Sequence, residues 1–300
     1  MNNQAIVKQI TDSIIAELEQ GTAPWVKPWA SKASSNGMPC NPSSGTHYRG
    51  INWLWLSMLQ SSGTFGTSNQ WITYKQAQAM GAQVRKGAKG ATVVFYKPLQ
   101  VESDIKNDDG SNATKIIPML KTYTVFNADY VDGLPVDETI ESDPVIDEFE
   151  TLEQCEAFIA SSGAKLQFGG SSAFYSPSLD YIQLPEKTDF NTNSDYYATA
   201  LHELSHWTGH KSRLDRDFSK SKKWGDFAYA FEELVAELSA AMLCSYNRID
   251  GKLQHASYIA SWLKVLRNDH RAIFKASADA QKVLDYLTHE QIEAEEQLAA

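Results

Sequence analysis

Apolar residues near the start of the chain recur every four positions. Ile6, Ile10, Ile14 and Leu18 predict an amphipathic helix over 4–20 that stops at Gly21. Two prolines make the next segment, Pro24-Trp25-Val26-Lys27-Pro28-Trp29, extended. A loop rich in Ser, Asn, Gly and Pro over 31–45 precedes an apolar run at 53–59 that predicts a buried helix. Trp71-Ile72-Thr73-Tyr74 reads as a short strand. Thr73 then caps a helix that runs to Met80 and is stopped by Gly81. Residues 84–90 form a basic turn. Residues 91–99 and 115–127 carry β-branched and aromatic side chains and predict a hairpin around the polar loop 102–114.

The pattern breaks at 133–150, where acidic residues punctuated by Pro135 and Pro144 predict a linker. Beyond it, 152–161 has a helical period, and 164–184 alternates as short strands. Tyr197, Ala198, Leu201, Leu204 and Ser205 give a helix with Asp195 as N-cap and Gly209 as stop. Further helices are predicted within 231–241, 258–274 and 276–287, followed by an acidic tail at 289–300 that frays. The expectation is an α+β chain of two domains, 1–132 and 151–300, joined by the acidic linker 133–150. Each domain is long enough for a core of its own.

Composition narrows the class. A hydrophobic content of 42% is that of a globular protein. No run of 18 apolar residues is present, and the first residues lack the basic and apolar regions of a secretion signal. A cytoplasmic protein without a membrane partner is therefore expected. Cys40, Cys155 and Cys244 are widely spaced, form no C-x-x-C, and read as free thiols rather than metal ligands. The net charge of -10 is uneven. Residues 1–100 hold nine Lys and Arg against three Asp and Glu, for +6; the other 200 hold 18 against 34, for -16. The front half suits a polyanion and the back half does not.

The sharpest chemical signal is H-E-x-x-H in Leu201-His202-Glu203-Leu204-Ser205-His206. Residues four apart share a helix face, so His202 and His206 can present two imidazoles to one ion, with Glu203 as general base toward water. A catalytic zinc site takes three protein ligands. The position that would complete the metzincin pattern is Ser212, which excludes that extension. In Phe231-Glu232-Glu233-Leu234-Val235-Ala236-Glu237, Glu233 and Glu237 lie four apart on one face, and Glu232 is the rival ligand if the helix is rotated. This helix resembles the second helix of gluzincins. The resemblance implies Glu233 as third ligand and Glu237 as the acid that orients His202 or His206. It implies zinc, or another divalent metal, as cofactor and a zincin-like, gluzincin-type fold for the back half. Tyr229, Tyr246 and His210 are the candidates for stabilising an oxyanion.

In the front half, aromatic and basic residues interleave. Trp25 with Lys27, Tyr48 with Arg49, Trp71 with Tyr74, and Arg85, Lys86 and Lys89 match the needs of a single nucleic-acid strand. Bases stack on rings while cations follow phosphates. Trp53 and Trp55 are read mainly as core. The stretches Pro24-Trp25-x-Lys27-Pro28-Trp29, Tyr48-Arg49-Gly50-Ile51-Asn52, Trp71-Ile72-Thr73-Tyr74 and Val84-Arg85-Lys86-Gly87-x-Lys89-Gly90 resemble the N-terminal domain of the ArdC antirestriction proteins, a domain also fused to TraC-type plasmid primases. Ala173-x-Tyr175-x-Pro177, Asp180-x-Ile182, Leu184-Pro185, the H-E-x-x-H segment and Arg213-Leu214 resemble the metallopeptidase domain that follows it. The resemblance covers nearly the whole chain. It implies a plasmid-encoded protein that binds single-stranded DNA and shields DNA entering by conjugation from host restriction. A protein or peptide substrate and the host restriction system are its further expected partners. Two alternatives stand beside this: a DNA-binding factor whose zinc site is structural or regulatory, and a peptidase that uses its front half to dock substrate.

Overall fold

A computed structural model describes residues 3–25, 38–106, 112–134, 148–216, 227–250 and 256–299. The front half opens with helix α1 (Asn3–Glu19), whose buried face is Ile6, Val7, Ile10, Ile14 and Leu18, as the four-residue spacing predicts. Helix α2 (Ile51–Ser61) is apolar nearly all round and almost wholly buried. Strand β1 (Trp71–Thr73) leads into helix α3 (Tyr74–Ala79). Thr73 and Gln76 form a reciprocal capping box at that junction. Two long strands, β3 (Ala91–Lys106) and β4 (Asn112–Asn127), make the hairpin. The sequence places 102–114 in a polar loop, but pairing continues to Lys106 and Asn112 with a register shift after Glu102. Backbone pairing needs no apolar side chains, which is why polarity misplaced that boundary. The sheet order is β1-β4-β3, all antiparallel. A small ladder joins β2 (Gln83–Val84) to β5 (Val131–Asp132).

The back half begins with helix α4 (Glu148–Ser161). A three-stranded sheet follows, with β8 (Tyr181–Leu184) central, β6 (Leu166–Phe168) parallel to it and β7 (Phe174–Ser176) antiparallel on the other side. Helix α5 (Asn193–Thr208) carries the H-E-x-x-H segment. Its N-cap is Thr192, not Asp195: the Asp195 amide donates to Thr192 Oγ1, and the Asp195 carboxylate sits in the first turn, where the helix dipole favours it. Helix α6 (Phe227–Tyr246) is buried over most of its length and packs against α5, α7 (Ile259–Asn268) and α8 (Ala272–Ala299). The predicted break near 275 falls earlier, at Asp269–Arg271, where the Asp269 side chain accepts the Arg271 amide. The predicted frayed tail is helical to Ala299.

Each half is long enough for its own core, yet most buried apolar residues of both form one continuous cluster from Ile6 to Leu287, with a small separate cluster of Ile72, Ala77, Ala82, Val84 and Val131 in the front half. Two joints account for the shared cluster. Trp25 is fully buried edge-on against Trp262 of α7, with ring centroids 5.3 Å apart. Helix α8 returns to pack on α2, where Gln281 accepts the Gly50 amide at 3.0 Å. Gly50 begins α2 with φ of 55°, a backbone region that favours glycine. On the other side of α2, buried Asn52 holds β3 through both halves of its amide: Nδ2 donates to the Val94 carbonyl at 2.7 Å, and Oδ1 accepts the Val94 amide at 2.9 Å. Of the expected linker 133–150, residues 135–147 lie outside the described residues, and Glu148–Glu150 already belong to α4. Among the described residues no helix is long and apolar enough to cross a membrane.

The Asn52 joint yields a prediction. Asn52→Ala leaves two buried backbone groups of Val94 unpaired and is expected to destabilise the fold by about 2–4 kcal/mol. Denaturant unfolding measures this, and a loss below about 0.5 kcal/mol contradicts the assignment.

Candidate metal centre

Helix periodicity brings His202 and His206 to one face of α5, with ring centroids 4.8 Å apart at 84°. Glu233, on α6, faces both. Its carboxylate oxygens lie 3.7 Å from His202 Nε2 and 3.6 Å from His206 Nε2. The three side chains offer two nitrogens and one oxygen within 4.8 Å of one another. The opposite ring nitrogens face other carboxylates of α6. His202 Nδ1 lies 3.8 Å from Glu237, which is buried, and His206 Nδ1 lies 3.2 Å from Glu232. Both imidazoles are thereby oriented with Nε2 toward Glu233. Glu232, the rival ligand, belongs instead to this outer layer. Arg216 binds it with Nε and Nη2, and also donates to the Thr208 hydroxyl and the Ser205 carbonyl.

The electrostatics describe a cluster short of positive charge. Burial disfavours a charged His206, but Glu232 and Glu233 outweigh it and raise its pKa to about 10. Burial pushes Glu203 up to about 7, against the pull of His206. Burial would also raise Glu232, yet His206 and Arg216 hold it below the ordinary carboxylate range. Imidazole and carboxylate donors in a two-to-one set are those of catalytic divalent-metal sites, and no cysteine belongs to the cluster. The donor set fits a divalent cation.

A cavity of about 360 Å³ opens over the cluster. Phe174 and Tyr175 of β7 line one side, and Tyr229 and Tyr258 the other, their hydroxyls 3.0 Å apart. Burial, with the bond to Tyr258, pushes the Tyr229 hydroxyl well above its ordinary pKa, so it stays a proton donor. The Tyr175 backbone amide donates to Glu203. Of the three oxyanion candidates, only Tyr229 lines the cavity. Tyr246 packs on Phe158, and His210 bonds Ser212 at 2.7 Å. A second clamp fixes β7 and β8 to the end of α5. Arg213 stacks on Trp207 at 3.7 Å and donates to the Trp207 carbonyl and to Asp180, which also accepts from the Tyr175 hydroxyl.

Known proteins place this arrangement. Residues 4–126 match the family model for the N-terminal domain of anti-restriction factor ArdC, and 153–279 match that for a zincin-like metallopeptidase. The metal-free crystal structure of the antirestriction protein ArdC from plasmid R388 is 40% identical, covers 96% of this chain and 98% of its own, and superposes with a TM-score of 0.78. The chain belongs to the ArdC antirestriction family. A second ArdC structure from R388, described as Mn(II)-bound, superposes at 0.73, again at 40% identity, covering 95% of this chain and 97% of its own. The protein y4eC of Sinorhizobium fredii (strain NBRC 101917 / NGR234) is 40% identical over 97% of this chain and 94% of its own length. Two DNA primases TraC of Escherichia coli are 41% and 40% identical over 97% and 96% of this chain, which spans only 28% and 20% of their lengths.

The ArdC-type front half does not present all the aromatics that the sequence singles out. Trp25 and Trp71 are fully buried. Tyr48 is buried and donates its hydroxyl to the Trp71 carbonyl at 2.9 Å. Arg49 pairs with Asp285 of α8. The three aromatics are part of the core, whereas Arg49 is exposed and its partner Asp285 is a surface one. Lys27 lies outside the described residues. Arg85 is exposed but committed to Asp132. Tyr74, Lys86 and Lys89 are exposed. In the back half, sequence reading missed the roles of Arg216, Glu232 and Tyr258. Arg213 and Asp180 stood in the motifs, yet only the fold shows that they meet.

Removing an outer carboxylate should loosen the histidine it orients. Glu232→Ala and Glu237→Ala are each expected to weaken divalent-metal affinity about 10- to 100-fold. Chelator competition measures this, and unchanged affinity in both variants contradicts the roles given to these acids.

Proposed function

We propose that this chain is an antirestriction protein that binds single-stranded DNA through its front half and hydrolyses peptide bonds at a zinc centre in its back half. It would act in the cytoplasm of a cell that receives plasmid DNA by conjugation. The observation that carries the peptidase reading is the convergence of both Nε2 atoms on Glu233, beneath a cavity that Glu203 also lines. His202, His206 and Glu233 would hold the zinc. When bound, the metal supplies a Lewis acid that polarises the scissile carbonyl and makes water a nucleophile near neutral pH.

The rest of the reaction falls to the chain's own side chains. Glu203 takes a proton from the attacking water and returns it to the amide nitrogen as the C–N bond breaks. Tyr229 donates its hydroxyl toward the oxyanion that develops at the carbonyl. Among the described residues β7 pairs only with β8, so its outer edge can receive an extended peptide as an added strand beside the metal pocket. The match to the ArdC N-terminal domain and the positive balance of the first hundred residues support the DNA reading.

A second reading keeps the DNA function and gives the metal a structural role. It is favoured by the position of the ligands, which would bridge two buried helices, α5 and α6. Glu203→Gln separates the two. Under the peptidase reading the variant binds zinc as the native chain does and loses about 10²–10⁴ in the rate of cleaving an unfolded protein such as casein. Cleavage at the native rate, or no metal-dependent cleavage by either protein, contradicts it. A variant that still protects transferred DNA from restriction removes proteolysis from the protective mechanism.

A further inference from the structure

The core covers one face of the β1-β4-β3 sheet only in part: Ala91, Val93 and Val125 are buried, and the same face is open beyond them. Phe95 opposes Lys121, and Val93 opposes Tyr123 across the β3–β4 ladder. Directly opposed residues share a face, so these four side chains point the same way. Val93 is buried and forms the floor, while Phe95 and Tyr123 are 46% and 47% exposed and meet edge to face at 5.4 Å. The first turn of α3 makes a wall, with Tyr74 42% exposed and Lys75 beside it. The groove so formed has a volume of about 780 Å³ and no acidic residue in its lining. A second groove shares Tyr74 and continues past Phe126 to Lys86. Among the described residues Lys75, Lys86 and Lys121 form no ion pair.

Three large rings held half in water within one groove mark an interaction site. Their edges and faces are open, and the cations around them are uncommitted. A duplex hides its bases in the stack and could engage only the lysines. An apolar peptide would use the rings and leave the lysines without a role. A single strand uses both, because every base has a face to stack and every linkage a phosphate.

We infer that single-stranded DNA binds across this sheet face, its bases stacking on Tyr123, Phe95 and Tyr74 and its phosphates meeting Lys121, Lys75 and Lys86. The inference rests on the single-strand reading above and gives it a location. Trp25 and Trp71 are fully buried and lie outside the groove's lining, while Tyr48, nearly buried, forms part of its inner wall. Tyr96 provides an internal control. It follows Phe95 along β3, is 56% exposed, and points to the opposite face of the sheet.

The test is fluorescence anisotropy of a labelled oligothymidylate with the full chain, across a salt series. Tyr123→Ala and Phe95→Ala are each expected to weaken binding about tenfold, whereas Tyr96→Ala binds as the native chain does. Lys121→Gln should reduce the slope of log affinity against log salt by about 0.7. Thermal melting accompanies each variant. If an alanine variant does not fold, Lys121→Gln, which keeps the sheet face filled, decides the matter through the salt slope. Native binding by Tyr123→Ala, Phe95→Ala and Lys121→Gln overturns the location and leaves the DNA reading standing. Absence of single-strand binding by the native chain overturns the DNA reading itself. Equal binding of duplex and single strand overturns the stacking role, as does loss of binding in Tyr96→Ala matching that in Tyr123→Ala.

Discussion

Carboxylates buried between α5 and α6 must be compensated, and that constraint organises the back half. Glu203, Glu233 and Glu237 are all buried, and Glu232 is nearly so. Water cannot solvate them, so their charge has to be met by protein groups or by a cation. Two imidazoles and Arg216 supply part of the balance. Arg216 also ties the chain after α5 back to α5 itself, through the Ser205 carbonyl and the Thr208 hydroxyl. The same groups that neutralise the acids therefore set the distance between the two helices. A dication at the Nε2 atoms would complete the balance, so metal affinity and the packing of α5 on α6 are one property.

The front half depends on the back half for its shape. Trp25 buries itself against α7, Gly50 is held by α8, and Arg49 reaches Asp285 on α8. Trp25 is spent on the shared core, while Gly50 and the exposed Arg49 are tied to α8. What they leave open is the sheet face of β3 and β4, where rings and lysines alternate. Division of labour follows from topology: helices join the halves, and the hairpin faces outward.

Much of this was legible in the sequence. The spacing of Ile6, Ile10, Ile14 and Leu18 specified α1, and Thr73 specified the start of α3. H-E-x-x-H and the glutamates of α6 pointed to the cluster that the fold assembles, because helix periodicity carries geometry directly. What the sequence could not carry was the partner of each exposed-looking group. Tyr48 and Arg49 have the chemistry of a nucleic-acid contact, but Tyr48 is turned inward onto the Trp71 carbonyl, and the partner of Arg49 is Asp285 on α8, more than 200 residues later. Glu232 and Glu233 are adjacent and chemically alike, and only the rotation of α6 assigns one to the Nε2 atoms and the other to Nδ1 of His206. Phe95 and Tyr123 read in the sequence only as strand residues of the hairpin. Their exposure follows from strand register, which a sequence reading did not fix.

The central claim is that two imidazoles and one carboxylate of this chain hold a divalent metal. X-ray absorption at the zinc edge, on protein loaded with one equivalent of zinc, tests it most directly. The account predicts two imidazole nitrogens at about 2.0–2.1 Å with the remaining ligands oxygen and no sulfur. The two-imidazole signal should fall to one in His206→Ala. A spectrum with sulfur ligands, with oxygen alone, or unchanged by that substitution would contradict it.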